Sequence, residues 1–351
     1  MLRFVIFPNL PVSPEKHSNP YIQDFIDALD FAEGSCVSNK PHKNPLLSIL
    51  SPKLWRQADV YVFNWFENIA ESKYALLQSI AAVCLLLVLR LTKRQVVWML
   101  HNKQNHSRRA RRLSAFLRAA ISRFSTLIIT HATDGEAFIR QYYSHAAYKT
   151  HFIHHPTKSR LPGIVQASTP KLVDLLIWGH ISPYKQVVEF LRYVGTDPDA
   201  AQLRISVVGR CTSDELRREL LRALPPGASY TDRSPNFEEL AGYMFSSRFV
   251  LIPYSSESLL SSGALMDSLS YGMPVIGPNV GSFQDYAAEQ ELRVYTFRTF
   301  HDIPRLVKEH RNVPFTPRRY ASFLQRNSWF NFANTFLKKV EHARTYHTLL
   351  L

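Results

Sequence analysis

Two loops in the second half of this 351-residue chain carry side chains suited to holding a phosphorylated ligand. The first reads Gly179-His180-Ile181-Ser182-Pro183-Tyr184-Lys185 and leads from an apolar run into a helical one. Its glycine lets backbone approach a ligand, its proline suits a helix start, and Lys185 can reach a phosphate. The second loop starts at Tyr254 and ends in Ser261-Ser262-Gly263, where another helix begins. Unpaired N–H groups and the positive end of the helix dipole make such a start an anion site. One turn in, Asp267 can accept hydrogen bonds from ribose hydroxyls.

Loops of this type bind ligands when they lie at the carboxyl ends of parallel strands. Strand-like runs at 3–7, 59–64, 96–100 and 126–130 alternate with helical spacing at 21–29, 74–91 and 108–124. Periodicity lapses over 157–170, which hold Lys, Ser, Pro and Gly, and then resumes. Strands are predicted at 172–178, 203–208, 249–252 and 275–276, and helices at 186–194, 213–224, 237–245 and 263–271. The order predicts an α/β protein with two Rossmann-like domains, each a parallel sheet covered on both faces. Domain boundaries are expected at 1–156 and 172–329 with a linker at 157–171. A helical stretch near the end, about 330–351, is expected to cross back onto the first domain.

Hydrophobic residues make up 46% of the chain and charged residues 20%, an ordinary globular balance at a length that suits two domains. The three cysteines are an odd number without metal-ligand spacing, which suits a reducing cytoplasm. The net charge of +14 is concentrated in the first half: residues 1–171 hold 22 Lys and Arg against 10 Asp and Glu. Between Glu71 and Asp134 there is no acid and there are eleven Lys and Arg. That half therefore faces something anionic: nucleic acid, an acidic membrane surface or a phosphorylated acceptor. The start, Met1 to Phe7, lacks the long apolar core of a signal peptide. The apolar stretch 74–91 contains Gln78 and Arg90 and is short for a membrane span, so a buried or interfacial helix is expected. In the basic helix 108–123, Leu113, Phe116, Leu117 and Ala120 share one face flanked by Arg108, Arg109, Arg111 and Arg112, a pattern that can lie on an anionic bilayer.

The order Gly-x5-Lys, then a helix ending in Tyr271-Gly272-Met273-Pro274-Val275-Ile276, then Pro278-Asn279-Val280-Gly281-Ser282, resembles the C-terminal half of GT-B glycosyltransferases. It is most similar to the family-4-like bacterial enzymes that build exopolysaccharide and capsule. Val207-Val208-Gly209-Arg210, Phe237-Glu238-Glu239-Leu240 and Ser328-Trp329, with Asn19-Pro20-Tyr21, Asn64-Trp65-Phe66-Glu67 and Trp98-Met99-Leu100-His101-Asn102 in the first half, extend the likeness over nearly the whole chain. The resemblance implies two domains facing across a cleft and a nucleotide-sugar co-substrate, UDP- or GDP-linked. It assigns the donor to Gly179, His180, Lys185, Arg210, Tyr254, Ser261, Ser262, Gly263 and Asp267. It assigns the acceptor, a saccharide or a polyprenyl-pyrophosphate-linked saccharide, to Asn19, Tyr21, Trp65 and Asn102. The implied activity is hexosyl transfer in surface polysaccharide synthesis, in the cytoplasm or at the inner face of the plasma membrane.

The sequence departs from that family in one chemical respect. Retaining members carry Glu-x7-Glu; Asp267 stands at the second acid, but Leu259 stands at the first and Glu257 is two residues away. Stereochemical outcome is therefore left open. An inverting route needs a general base, for which Glu67 and His101 are the candidates because each follows a strand of the first domain, with His131 behind them. No Asp-x-Asp occurs, and no metal or further cofactor is expected, since such enzymes meet the leaving diphosphate with lysine and helix dipoles. Two other readings are a basic nucleic-acid-binding protein, disfavoured because no recognition motif accompanies the charge, and a nucleotide-sugar epimerase of the same fold.

Overall fold

A computed structural model of the chain describes residues 1–9, 20–39, 58–103, 110–161, 170–257, 259–313 and 317–349. The chain divides into two compact units, Met1–Pro156 with Asn327–Leu351, and Thr157–Arg326. Each is built on a parallel six-stranded sheet.

In unit 1 the order is β2-β1-β3-β4-β5-β6, with β1 Leu2–Phe7, β2 Ser35–Val37, β3 Val60–Asn64, β4 Gln95–Leu100, β5 Leu127–Thr130 and β6 Thr150–Phe152. Strands β3, β4 and β5 are buried throughout, as runs like Val-Val-Trp-Met-Leu require when helices cover both faces. The flanking helices are α1 Pro20–Phe31, α2 Ala75–Leu91, α3 Arg111–Phe124 and α4 Thr133–Tyr142. The last helix, α12 Trp329–Leu349, returns to this unit: Trp329, Phe332, Phe336 and Val340 pack with Phe4, Phe25 and Leu29 of β1 and α1. Phe25 meets Phe332 and Phe336 edge-on, with ring centroids 5.3 and 5.2 Å apart.

In unit 2 the order is β12-β11-β10-β7-β8-β9, with β7 Val173–Trp178, β8 Ile205–Val208, β9 Ala228–Thr231, β10 Ser247–Leu251, β11 Val275–Pro278 and β12 Val294–Phe297. Its helices are α5 Val187–Val194, α6 Asp214–Ala223, α7 Phe237–Ser246, α8 Gly263–Ser270, α9 Ser282–Ala287, α10 Asp302–His310 and α11 Pro317–Arg326. A capping box closes the start of α7, where Asn236 and Glu239 exchange side-chain and backbone hydrogen bonds.

Asn327-Ser328 separate α11 from α12, and α12 belongs to unit 1. One expectation changes. In the basic helix, Arg108 and Arg109 lie outside the described residues, and α3 turns its apolar side inward: Leu117 and Ile121 are fully buried and Leu113 half-buried. Of the apolar face expected to meet a bilayer, only Phe116 is fully exposed; Arg111, Arg112 and Arg123 are the cations α3 presents to solvent. Among the described residues no helix is long and apolar enough to cross a membrane.

Candidate functional site

In unit 2 the chain builds β7, β8 and β9 toward one edge and β10, β11 and β12 toward the other, so the direction reverses between β7 and β10. In open α/β sheets the crevice outside the carboxyl ends of the strands at that reversal is where ligands bind. The two loops singled out from the sequence leave the sheet there, one from each strand. They are joined directly, Ser255 N–H donating to Tyr184 C=O at 3.0 Å and the rings of Tyr184 and Tyr254 meeting edge-on at 5.6 Å.

The first loop is shaped by its glycine. Gly179 has φ +91°, the left-handed region that side chains rarely adopt. Gly209, at the end of β8, is held so close that a β-carbon there would fall 2.0 Å from the Gly179 carbonyl oxygen. The two loops then run side by side, Ile181 N–H donating to Arg210 C=O and Thr212 N–H to Ile181 C=O. Pro183-Tyr184-Lys185 form a 3-10 turn before α5. The Lys185 ammonium lies 5.1 Å from the centroid of the Tyr254 ring, and among the described residues no carboxylate pairs with it. Burial holds its pKa below the usual lysine range. His180 is exposed, and partial desolvation and then the Lys185 charge hold its pKa below the usual histidine value; Arg210 is exposed.

The second loop ends at α8, whose cap Ser262 accepts a hydrogen bond from Leu265 N–H at 3.3 Å. Ser261 is half-buried before it, and Gly263 faces open space. Asp267 sits one turn in but is already engaged: Arg160 Nη1 lies 3.1 Å from its Oδ1 and donates to Ser270 Oγ at 3.0 Å. The Arg160 guanidinium also stacks 3.8 Å above the Phe237 ring. Nothing in the local pattern around Arg160 distinguishes it, because its hydrogen-bond partners Asp267 and Ser270 lie more than a hundred residues away. Leu259 is buried, so the place of the missing first acid belongs to the apolar core. Beside these loops, a cavity of about 550 Å³ opens among Gln186, Tyr254, Ser256, Asn279 and Arg298.

Unit 1 gathers ring side chains at the carboxyl ends of its strands. Trp65 follows β3, His101 β4, His131 β5 and His155 β6, and Tyr21 reaches them from α1. Trp65 stacks on His101 with centroids 4.5 Å apart, and Tyr21 meets His101 edge-on at 5.0 Å. Trp65 holds this place at φ +49°, a left-handed backbone that costs a bulky residue about 1–3 kcal/mol. Neighbouring carbonyls fix the proton positions. Asn64 donates through Nδ2 to Phe7 C=O, so its Oδ1 accepts from His101 Nε2–H at 2.9 Å, and His101 Nδ1 keeps the lone pair. His131 donates through Nδ1 to Ile153 C=O and accepts at Nε2 from the Tyr21 hydroxyl, both at 2.8 Å. His155 donates through Nδ1 to Pro156 C=O at 2.8 Å. Burial lowers the pKa of His101 to about 3 and of His155 to about 4, and drives His131 well below its usual value.

The two base candidates divide. Glu67 is buried on a 3-10 turn, toward Trp98 and Arg118 in the interior of unit 1. Burial raises its carboxyl to about 7, against the pull of its backbone hydrogen bond and Arg118. By pKa alone Glu67 suits a base at neutral pH, but its surroundings are structural; His101 stands in the ring cluster but is a weak proton acceptor at a pKa of about 3. A raised carboxyl favours folding below pH 4.5 and loses that stability as pH rises through 7. Glu67→Gln is therefore expected to stabilise the protein at pH 8 by about 3 kcal/mol and to change little at pH 5. Melting curves at the two pH values check this, and a variant melting below the wild type at pH 8 sinks it. Of the acceptor candidates, Tyr21 and Trp65 lie in the cluster, Asn102 follows His101, and Asn19 lies outside the described residues. Among the described residues no three His, Cys, Asp or Glu side chains are arranged to hold a metal ion.

No protein-family model matches the sequence, and comparison with curated proteins gives no match. Solved structures do match. HepE from Anabaena, crystallised with UDP-glucose, superimposes with a TM-score of 0.65 at 15% identity, over 97% of this chain and 100% of that one. The lipopolysaccharide outer core galactosyltransferase WaaB gives 0.64 at 12% identity, over 97% and 99%. AviGT4, a glycosyltransferase of avilamycin A biosynthesis, gives 0.58 at 12% identity, over 98% of both chains. With two parallel six-stranded α/β units and this full-length likeness, the chain has the fold of the GT-B glycosyltransferases.

Proposed function

We propose that this protein is a glycosyltransferase that takes a hexose-type sugar from a UDP- or GDP-linked donor held in unit 2. The acceptor is a saccharide or a lipid-pyrophosphate-linked saccharide of surface polysaccharide synthesis, met on the cytoplasmic side of the membrane. The single observation that carries this reading is the meeting of two loops at the strand-order reversal of unit 2, with Lys185 and the capped start of α8 presented there. A diphosphate supplies the counter-charge that Lys185 lacks, and the serine-capped helix start offers N–H donors to the same anion. Asp267 takes the ribose, with Arg160 fixing its carboxylate. The cavity beside Gln186 and Asn279 has the size of a sugar site. The neighbour HepE, solved with UDP-glucose, supports a uridine donor.

In unit 1, Tyr21, Trp65 and Asn102 provide the aromatic and amide surface on which a saccharide is held, with His101 Nδ1 as a lone pair for one hydroxyl. Transfer joins the acceptor oxygen to the anomeric carbon as the bond to the diphosphate oxygen breaks, and the proton of the acceptor hydroxyl is released to solvent. Lys185 and the α8 dipole take up the charge that appears on the leaving group. No divalent cation has a part in this scheme.

Thermal melting with UDP, GDP, ADP and CMP tests the reading. A nucleotide at a hundred times its Kd stabilises the native state by about 2.7 kcal/mol. The expected result is a rise in Tm with UDP or GDP that disappears in Asp267→Ala. No rise with any of the four would remove the donor site, and sugar interconversion without acceptor would turn the reading to an epimerase.

A further inference from the structure

We propose that the outward face of α2 is a docking surface for an anionic lipid bilayer, on which the helix lies flat. The inner face of α2 packs into unit 1 through Ser79, Ala82, Leu85, Leu86 and Leu89. The outer face is also apolar and is left in solvent: Leu76, Leu77, Ile80, Leu87 and Leu91 are exposed, from 44% for Leu87 to 81% for Leu91. Residues 76, 80, 87 and 91, with exposed Cys84 between them, fall on a single helical stripe. Monomeric proteins rarely leave a contiguous apolar stripe of this kind uncovered. Seventeen residues rise only about 25 Å, less than a hydrocarbon core of about 30 Å, and the inner face is committed to protein. The helix can therefore lie on a bilayer but not cross it.

Charge selects the occupant. Lys73 stands exposed before the helix, and Arg90 and Lys93 stand exposed at its end. Tyr74, at its N-cap, is exposed, an aromatic with a polar tip of the type that settles at headgroup depth. The adjacent α3 adds exposed Arg111, Arg112, Arg123 and Phe116. No acid occurs from residue 72 to residue 133, so nothing on these two helices offsets the positive field. A second copy of the chain would bring the same cations against this face, an unfavourable juxtaposition. An apolar stripe bordered by lysine and arginine is instead complementary to the boundary between anionic headgroups and acyl chains. From the sequence this helix is expected to be buried or interfacial, and the membrane-facing side is assigned to α3, whose Leu117 is in fact used inside.

The surface lies wholly in unit 1, and its test needs neither nucleotide nor acceptor, so it stands or falls apart from the glycosyltransferase reading. Purified protein is mixed with phosphatidylcholine vesicles, with and without about one-third phosphatidylglycerol, and sedimented. The wild type is expected to sediment with the anionic vesicles, less with the zwitterionic ones, and less at high salt. Leu76→Gln/Leu77→Gln/Ile80→Gln/Leu91→Gln is expected to lose about a hundredfold or more in partition at unchanged Tm. Arg90→Gln/Lys93→Gln is expected to lose about fivefold per charge, and only toward anionic vesicles. A wild type that ignores anionic vesicles, or a glutamine variant that binds them equally well, overturns the proposal. So does a glutamine variant that melts several degrees lower, which would mean that the chain covers this face itself. A wild-type dimer made monomeric by the substitutions would assign the face to a second copy.

Discussion

Lys185→Ala is expected to reduce kcat/KM for the nucleotide sugar by about 10²–10³, the usual cost of removing one preorganised group that faces the charge of a transition state. The same change is expected to leave Tm unchanged or raise it. Lys185 is held by Tyr254 and its own turn, without a carboxylate among the described residues, and burial depresses its pKa. The folded state therefore binds this proton less readily than the unfolded chain. Stability rises with pH through the window between the depressed and the ordinary lysine values, and at pH 7 the charge is a cost. Removing it relieves that cost, while bound diphosphate loses its ammonium. Lys185→Met, which keeps the apolar stem against Tyr254, separates the two effects. Turnover within a few-fold of the wild type in both variants, or a fall of Tm typical of a lost core contact, would count against the assignment.

The second large effect is acid lability of unit 1. His101 and His155 are held neutral by burial, with pKa values of about 3 and 4, and His131 is depressed in the same sense. A histidine with a lowered folded pKa stabilises the native state above 6.5 and loses that contribution as pH falls below it. Between pH 7 and pH 5 the cost is about 2 kcal/mol for each of His101 and His155. Glu67 acts the other way, regaining about 2 kcal/mol over the same interval as it becomes protonated. With His131 added on the losing side, the net is a substantial fraction of the 5–15 kcal/mol that typically holds a domain. Circular dichroism melts from pH 7.5 to 4.5 should show a steep fall in Tm, and His155→Asn should flatten it. A Tm independent of pH in this range would mean that the cluster admits water and titrates normally.

Fold was more legible than site, for physical reasons visible at particular residues. The central strands are continuous apolar runs, Val60 to Asn64 and Gln95 to Leu100 among them, and a strand covered on both faces can hardly read otherwise. The edge strands gave no such signal. β2 is three residues long, and β9, Ala228 to Thr231, is half-exposed along its length, so neither has an apolar pattern to detect. At the candidate site, the turn that carries Lys185 and the helix start capped by Ser262 were legible because such starts carry local signatures. Arg160 and the His131–Tyr21 hydrogen bond were not, since each joins residues more than a hundred positions apart. Glu67 reads as a cleft residue because a carboxylate follows a strand, and the 3-10 turn after β3 buries it.

The return of α12 also sets an order on folding. The aromatic seat on Phe4 and Phe25 is completed by Trp329, Phe332 and Phe336, which leave the ribosome only after all of unit 2 has been made. At about 5–20 residues per second, the first half of the chain waits roughly ten to thirty seconds with that seat open. Unit 2, contiguous in the chain, can close first, so the unit whose strands are made earlier is the one completed later.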